Sequence, residues 1–183
     1  LEDLEKIIAD CKAGKNKAQA ALYRIYAPKL FGVSMRYSRD RTEAEDILHE
    51  AFVRIFEKIG QYNGSGHFEG WMRRIVVNFA LENHRKKSRL HIVDDITGYD
   101  SREKSAINQE TLNEEHLLQL IQQLPPRYKM VFNLYAIDGY SHKEIAKMLD
   151  ISEGASKSNL SRARKILQNK VYKTGYLEKI YAK

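Results

Sequence analysis

One cysteine, three prolines and no long apolar run set the first limits on this 183-residue chain. A lone Cys11 rules out an internal disulfide, and without a signal-peptide pattern the expected compartment is a reducing cytoplasm. No apolar stretch approaches the roughly 20 residues that a membrane-crossing helix needs, so direct membrane insertion is not expected. The six histidines are scattered, and no His, Cys and carboxylate group has metal-ligand spacing. Glycine-rich phosphate loops and nucleophile–base pairs are also missing. The expectation is therefore no enzyme, with catalytic residues none, metal none and cofactors none. Strand signals are missing too, apart from a brief stretch at 90–93. The first residue is Leu rather than Met, so a start further upstream is expected.

What is present is helix and unevenly distributed charge. With 43% apolar and 30% charged residues the chain reads as globular, with material for one domain or two small ones. A formal charge of +7 points to a polyanionic partner, and its distribution says more. Residues 71–91 carry six Lys/Arg against one acid, and residues 141–173 carry eight against three. Between them, residues 94–115 carry seven acids and two bases. Two basic modules are separated by an acidic segment of little periodicity, which reads as a linker.

The most regular helix signal runs from 42 to 59, where Ala44, Ile47, Leu48, Ala51, Phe52, Ile55, Phe56 and Ile59 recur at steps of three and four. Asp40 with Glu43, or Thr42 with Glu45, supplies a capping-box start. At about 100° per residue, Glu43, Asp46, Glu50 and Glu57 form a stripe opposite the apolar face, with Val53 beside them. An acidic ridge holding an apolar residue suits a protein partner, although a solvated face would look the same. A preceding helix over 18–38 has Leu22, Ile25, Tyr26, Leu30 and Val33 as core candidates and an expected kink near Pro28. A short helix is expected before Gly14.

After the polar loop 61–67, the set Phe68, Trp71, Met72, Ile75, Val76 and Phe79 defines another helix. On its flank Arg74, Asn78 and Arg85 align at spacings of four and seven, a line of donors able to meet phosphate or an unstacked base. Helix resumes near Thr111 with Leu117, Leu118, Ile121 and Leu124, breaks at Pro125 and Pro126, and continues over 127–137. Two short helices then follow across a tight turn, 140–149 and 152–169. In the second, Leu160, Ala163 and Leu167 lie opposite Lys157, Ser158, Ser161, Arg162 and Lys165, as in a helix-turn-helix whose second member enters a major groove.

Four blocks in order carry a resemblance: YRIYAP at 23–28, TEAEDILHEAF at 42–52, FEGWMRRIVVN at 68–78, and LPPRY at 124–128 leading into the helix-turn-helix. Over about 18–169 the chain resembles the extracytoplasmic-function sigma factors of bacterial RNA polymerase. The resemblance implies an all-α protein of two small helical domains joined by a flexible acidic linker: sigma region 2 at 1–89, linker at 90–110, sigma region 4 at 111–172 and a C-terminal tail at 173–183. It implies an alternative sigma factor whose partners are core RNA polymerase (its β′ and β subunits), promoter DNA and an anti-sigma factor.

Residue by residue, the resemblance places Glu45, Asp46, Ile47 and Glu50 in the motif that grips the β′ coiled coil, with His49 where Gln is usual. Together with the stripe residues Glu43 and Val53 these are the expected polymerase contacts. It places the loop residues Tyr62, Asn63, Gly64, Ser65 and His67, with Asn78, around a pocket for a flipped base of the −10 element, Tyr62 at its edge. Arg74 and Arg85 extend that surface, and Arg54 is a further phosphate candidate. It directs Lys157, Ser158, Ser161, Arg162 and Lys165 to the −35 groove and His142, Lys143 and Arg164 to phosphates. Asp150 stands where a turn glycine is common, and Ser156 and Asn159 where Val and Arg are frequent; Ser156 is expected to loosen the inner packing, and with Asn159 no base preference is carried over. The alternative is a helix-turn-helix regulator binding operators as a dimer, which leaves 42–78 without a role. A decoy that sequesters an anti-sigma factor would leave both basic faces unused.

Overall fold

The computed structural model describes residues 2–90 and 114–173. Of the linker expected at 90–110 only Leu90 is described, as the end of a helix, and of the tail expected at 173–183 only Lys173; the rest of both, the strand signal beyond Leu90 and residues 111–113 lie outside the described residues. The chain divides into two compact units, Leu1–Lys86 and Lys87–Lys183. Among the described residues every regular element is helical, and no helix is long and apolar enough to cross a membrane.

The first unit contains α1 (Glu2–Lys12), α2 (Asn16–Tyr37), α3 (Arg41–Lys58), a 3₁₀ turn (Ile59–Gln61) and all but the last four residues of α4 (Phe68–Leu90). α2 continues through Pro28, where a kink was expected. The ring lies on the exposed side of the helix, where water can serve the carbonyl that proline leaves without a donor. Of the two caps available to α3, Asp40 is the one used. Its carboxylate accepts from the Glu43 amide at 2.9 Å, and the Glu43 carboxylate accepts from the Arg39 amide at 2.7 Å. α2 packs along α3, and the buried residues of the unit are Leu22, Tyr26, Leu30 and Val33 of α2, Ile47, Leu48, Phe52 and Ile55 of α3, and Met72, Val76, Val77 and Leu81 of α4, among others. Ile25, expected inside, is 47% exposed. At about 100° per residue it lies off the line joining Leu22, Tyr26, Leu30 and Val33. On α4 the buried face extends to Val77, Ala80 and Leu81, while Trp71, Ile75 and Phe79 are half-buried.

The second unit contains α5 (Glu114–Gln122), α6 (Pro126–Phe132), a π-turn (Asn133–Ile137), α7 (His142–Leu149) and α8 (Glu153–Lys173). Its core joins Leu120, Ile121 and Leu124 to Ala163 and Leu167, with Tyr128, Phe132 and Ile166 packed alongside. Leu117, an expected core residue, is exposed because α5 packs through its later residues. Ser141 and Glu144 cap α7 reciprocally in a capping box. Asp150 ends it in the left-handed conformation (φ 56°, ψ 52°), a geometry Asp accepts better than most residues. Ile145, Leu160 and Ala163 are fully buried, which fixes α7 against α8.

Candidate polymerase and nucleic-acid surfaces

The outer face of α3 keeps its acidic stripe. Asp46, Glu50 and Glu57 are exposed, and Val53 among them is 52% exposed. Neither Asp46 nor Glu50 has an ion-pair partner among the described residues. The other three residues expected on this surface sit differently. Glu45 is half-exposed and bonded to Arg41 at 2.8 Å, a surface pair of little energetic weight. Glu43 is engaged in starting the helix. Ile47 is buried at 2% exposure and holds the stripe from beneath, because its place in the apolar repeat outweighs its place in the motif. Arg54 is not a free phosphate ligand. It pairs with Glu82 at 2.7 Å and lies 4.5 Å from the Phe79 ring centroid, tying α3 to α4.

The loop between the 3₁₀ turn and α4 is closed on itself. Asn63 Oδ1 accepts from the Ser65 amide at 3.0 Å and its hydroxyl at 2.6 Å, while Gly64 and Gly66 take positive φ (83° and 79°) that side chains disfavour. Asn63, Gly64, Ser65 and His67 are exposed. Tyr62 is a correction: its ring is 9% exposed and turned inward, against Phe68 at 4.9 Å and Trp71 at 5.6 Å. Burying an aromatic ring in this cluster releases more apolar surface from water than holding it at the loop edge would. The Tyr62 hydroxyl donates to the Gly66 carbonyl at 2.8 Å. Phe68 and Trp71 stack at 5.6 Å and 17°, and Tyr26 meets Phe68 edge-on. Burial pushes the Tyr26 hydroxyl above its ordinary value, and the hydrogen bond to Glu69 does the same for the Lys29 ammonium. Further along α4, Arg74, Asn78 and Arg85 are all exposed on one line of the helix.

In the second unit, Lys157, Ser158, Ser161, Arg162, Arg164 and Lys165 of α8 are exposed, as is Lys143 of α7. The Arg162 guanidinium reaches the Tyr128 hydroxyl at 3.4 Å. His142 departs from the expectation of a plain phosphate contact. Its ring stacks on Tyr135 at 4.5 Å, and its Nδ1 lies 2.8 Å from the hydroxyl of fully buried Ser156. Arg164 lies over the other partner of that stack, 5.8 Å from the Tyr135 centroid. Ser156 therefore joins α7 to α8 rather than loosening them. Tyr135 and Lys12, neither singled out from the sequence, act through contacts between distant positions. Among the described residues no His, Cys, Asp and Glu group could hold a metal ion.

A helical unit with an exposed acidic stripe and a polar loop is thus followed in the chain by a helix-turn-helix unit with an exposed basic face. The family description "Sigma-70 region 2" matches residues 22–90, and "Sigma-70, region 4" matches residues 114–167. The chain is 29% identical over 182 residues to the ECF RNA polymerase sigma factor SigW of Bacillus subtilis, covering 92% of this chain and 96% of that one. It is 27% identical to the ECF RNA polymerase sigma-E factor of Escherichia coli K12, covering 90% and 92%. It is also 29% identical over 153 residues to the ECF RNA polymerase sigma factor SigE of Mycolicibacterium smegmatis, of whose length it spans 59% against 81% of its own. Its fold is similar to that of the sigma factor RpoE of Bartonella quintana, solved with the anti-sigma factor NepR (TM-score 0.53, 20% identity, 82% and 94% covered). The chain belongs to the extracytoplasmic-function sigma factors, which are transcription initiation factors and not enzymes.

Proposed function

We propose that this sigma factor docks on core RNA polymerase through Asp46, Glu50 and Val53, with Glu45 at the margin, and that its two basic surfaces divide the promoter between them. The loop 62–67 with Asn78 takes a flipped base of the −10 element, and Arg74 and Arg85 guide the strand beside it. The α8 face, Lys157, Ser158, Ser161, Arg162 and Lys165, reads the −35 duplex, with Lys143 and Arg164 at phosphates and the outer edge of the His142 ring beside them. A preformed pocket suits melting without ATP, since it recovers part of the few kcal/mol that unstacking a base costs. The working compartment is the cytoplasm, where core polymerase and promoters are, and an anti-sigma factor holds the chain inactive, a reading supported by the fold's likeness to RpoE solved with the anti-sigma factor NepR.

The observation that carries this reading is the pairing of opposite surfaces on one chain. One helix faces solvent with unpaired acids around an apolar residue, and another with bases and hydroxyls. Run-off transcription from the gene's own upstream region, with and without core polymerase, tests it. Core-dependent transcripts are expected. Tight, sequence-specific promoter binding by the free chain as a dimer, with no need of core, would favour an operator-binding regulator instead. Asn78→Ala isolates the base-capture step: closed complexes should form normally while permanganate-reactive thymines at the −10 element are lost. Normal opening of a duplex promoter by that variant would return the Arg74, Asn78 and Arg85 line to phosphate positioning.

A further inference from the structure

We propose that the loop 62–67 is held ready for its base by two anchors that never touch it, the Lys12 ammonium and the Tyr62 hydroxyl, an inference that rests on the base-capture reading above. Lys12 is the last residue of α1 and lies outside the segment that matches sigma region 2. Its Nζ donates to the Tyr62 carbonyl at 2.7 Å, reaching across 50 positions of sequence to the first residue of the loop. From that fixed carbonyl the Tyr62 ring packs against both members of the Phe68–Trp71 stack, and its hydroxyl returns to the Gly66 carbonyl at 2.8 Å. One side chain therefore spans the loop from its first residue to its fifth, with the Asn63–Ser65 turn enclosed between.

The reason such anchoring matters is entropy. Gly64 and Gly66 give the loop the left-handed backbone it needs, and in a free chain the same residues would spread it over many conformations. Each residue that has to be fixed at the moment of capture reduces binding of the base. Tying the loop at both ends moves that ordering to the folding of the first unit, so a base meets a surface already shaped for it. Both anchors end on backbone carbonyls, so they fix the path of the loop backbone and leave the side chains of residues 63–65 and 67 free to vary. Lys12 and Tyr62 are positioning residues: their job is the shape of the loop, while Asn78 and the exposed loop atoms meet the base.

The test uses holoenzyme assembled from core polymerase and full-length chain, with a single-stranded non-template −10 oligonucleotide from a promoter that supports run-off transcription. Tyr62→Phe keeps the ring and removes only the hydroxyl, and Lys12→Met keeps the length and removes the donor. Each should bind the oligonucleotide about threefold to tenfold more weakly, the scale of one hydrogen bond. Lys12→Arg, which can still donate to the carbonyl, should restore binding; core retention should match the parent in every variant, and the melting midpoint should fall only by what one hydrogen bond contributes. Parental binding by both anchor variants overturns the proposal, as does a Lys12→Arg chain as weak as Lys12→Met. A loss of core retention that matches the loss of oligonucleotide binding also overturns it, because the contacts would then serve the fold of the whole unit. Asn78→Ala separates the two levels. If it loses the oligonucleotide while the anchor variants keep it, only the anchoring falls; if it too binds normally, the capture reading falls and this inference with it.

Discussion

Helices α3 and α8 follow one rule inward and opposite rules outward. Each buries a stripe at helical spacing, Ala44, Ile47, Ala51 and Ile55 in α3 and Ser156, Leu160, Ala163 and Leu167 in α8. Toward solvent α3 offers Asp46, Glu50 and Glu57 around exposed Val53, and α8 offers Lys157, Arg162, Arg164 and Lys165 with two serines between. The inner stripe tells a helix where to sit, and the outer one tells it what to meet. An apolar residue among acids fits a protein surface that can bury it, whereas hydroxyls among bases fit a groove of phosphates and base edges.

The sharpest way to break this contrast is to give α3 the charge of α8. Asp46→Lys with Glu50→Lys should reduce co-purification with core polymerase by about 100-fold or more, since like charges set against each other across an interface cost several kcal/mol. Helicity should be unchanged, both residues being exposed. Unchanged recovery would reduce the stripe to a solvated face. Next in size, Arg162→Ala should weaken binding of holoenzyme to −35 duplex by about 1–3 kcal/mol if it contacts a base edge. Lys143→Ala, as a phosphate contact, should cost less and lower the salt dependence by roughly one ion.

Smaller effects sharpen the comparison by separating the units. Ser156→Ala removes the hydroxyl that joins α8 to His142 and should destabilise the second unit by about 1 kcal/mol, leaving melting of the first unit and core association as they were. Thermal melting of each unit by site-specific fluorescence would read this, and an equal effect on both would show that the units do not unfold separately. Smallest is Asp150→Gly, expected to stabilise the second unit by about 0.5 kcal/mol by relieving a left-handed φ that glycine adopts freely. Destabilisation there would mean that the Asp150 carboxylate contributes to the turn.

What the sequence made legible is what neighbours decide. The Asp40 start of α3, the Ser141–Glu144 box, the left-handed Asp150 and the exposed Val53 are all set within a turn or two of helix, and local spacing reads them correctly. The readings that failed depend on partners far along the chain. Arg54 looked free until Glu82, 28 positions on, met it, and Tyr62 looked like a pocket edge until Phe68 and Trp71 formed a place for its ring. Ser156 looked like a defect in packing until His142, 14 positions earlier, bonded to it. Ile25 and Leu117 are apolar residues at plausible spacing whose exposure follows from which elements pack beside them, information that no single helix contains. The candidate surfaces were therefore readable as faces, and the bonds that shape them were not.

The π-turn at Asn133–Ile137 gives the second unit a one-residue allowance. Here the Asp138 amide reaches the Asn133 carbonyl at 2.9 Å, a ring one residue wider than that of an α-helix. Deleting a single residue from this stretch would close the wide ring into an ordinary α-turn, and because five residues of the wider turn rotate about as far as four of an α-helix, everything after it would keep nearly the same direction about the helix axis. A deletion from the regular part of α6 has no such ring to absorb it and would turn α7 and α8 by about 100°. The extra residue acts as slack between α6 and the helix pair that follows, so losing one residue here should be tolerated better than losing one from the ordinary helix beside it.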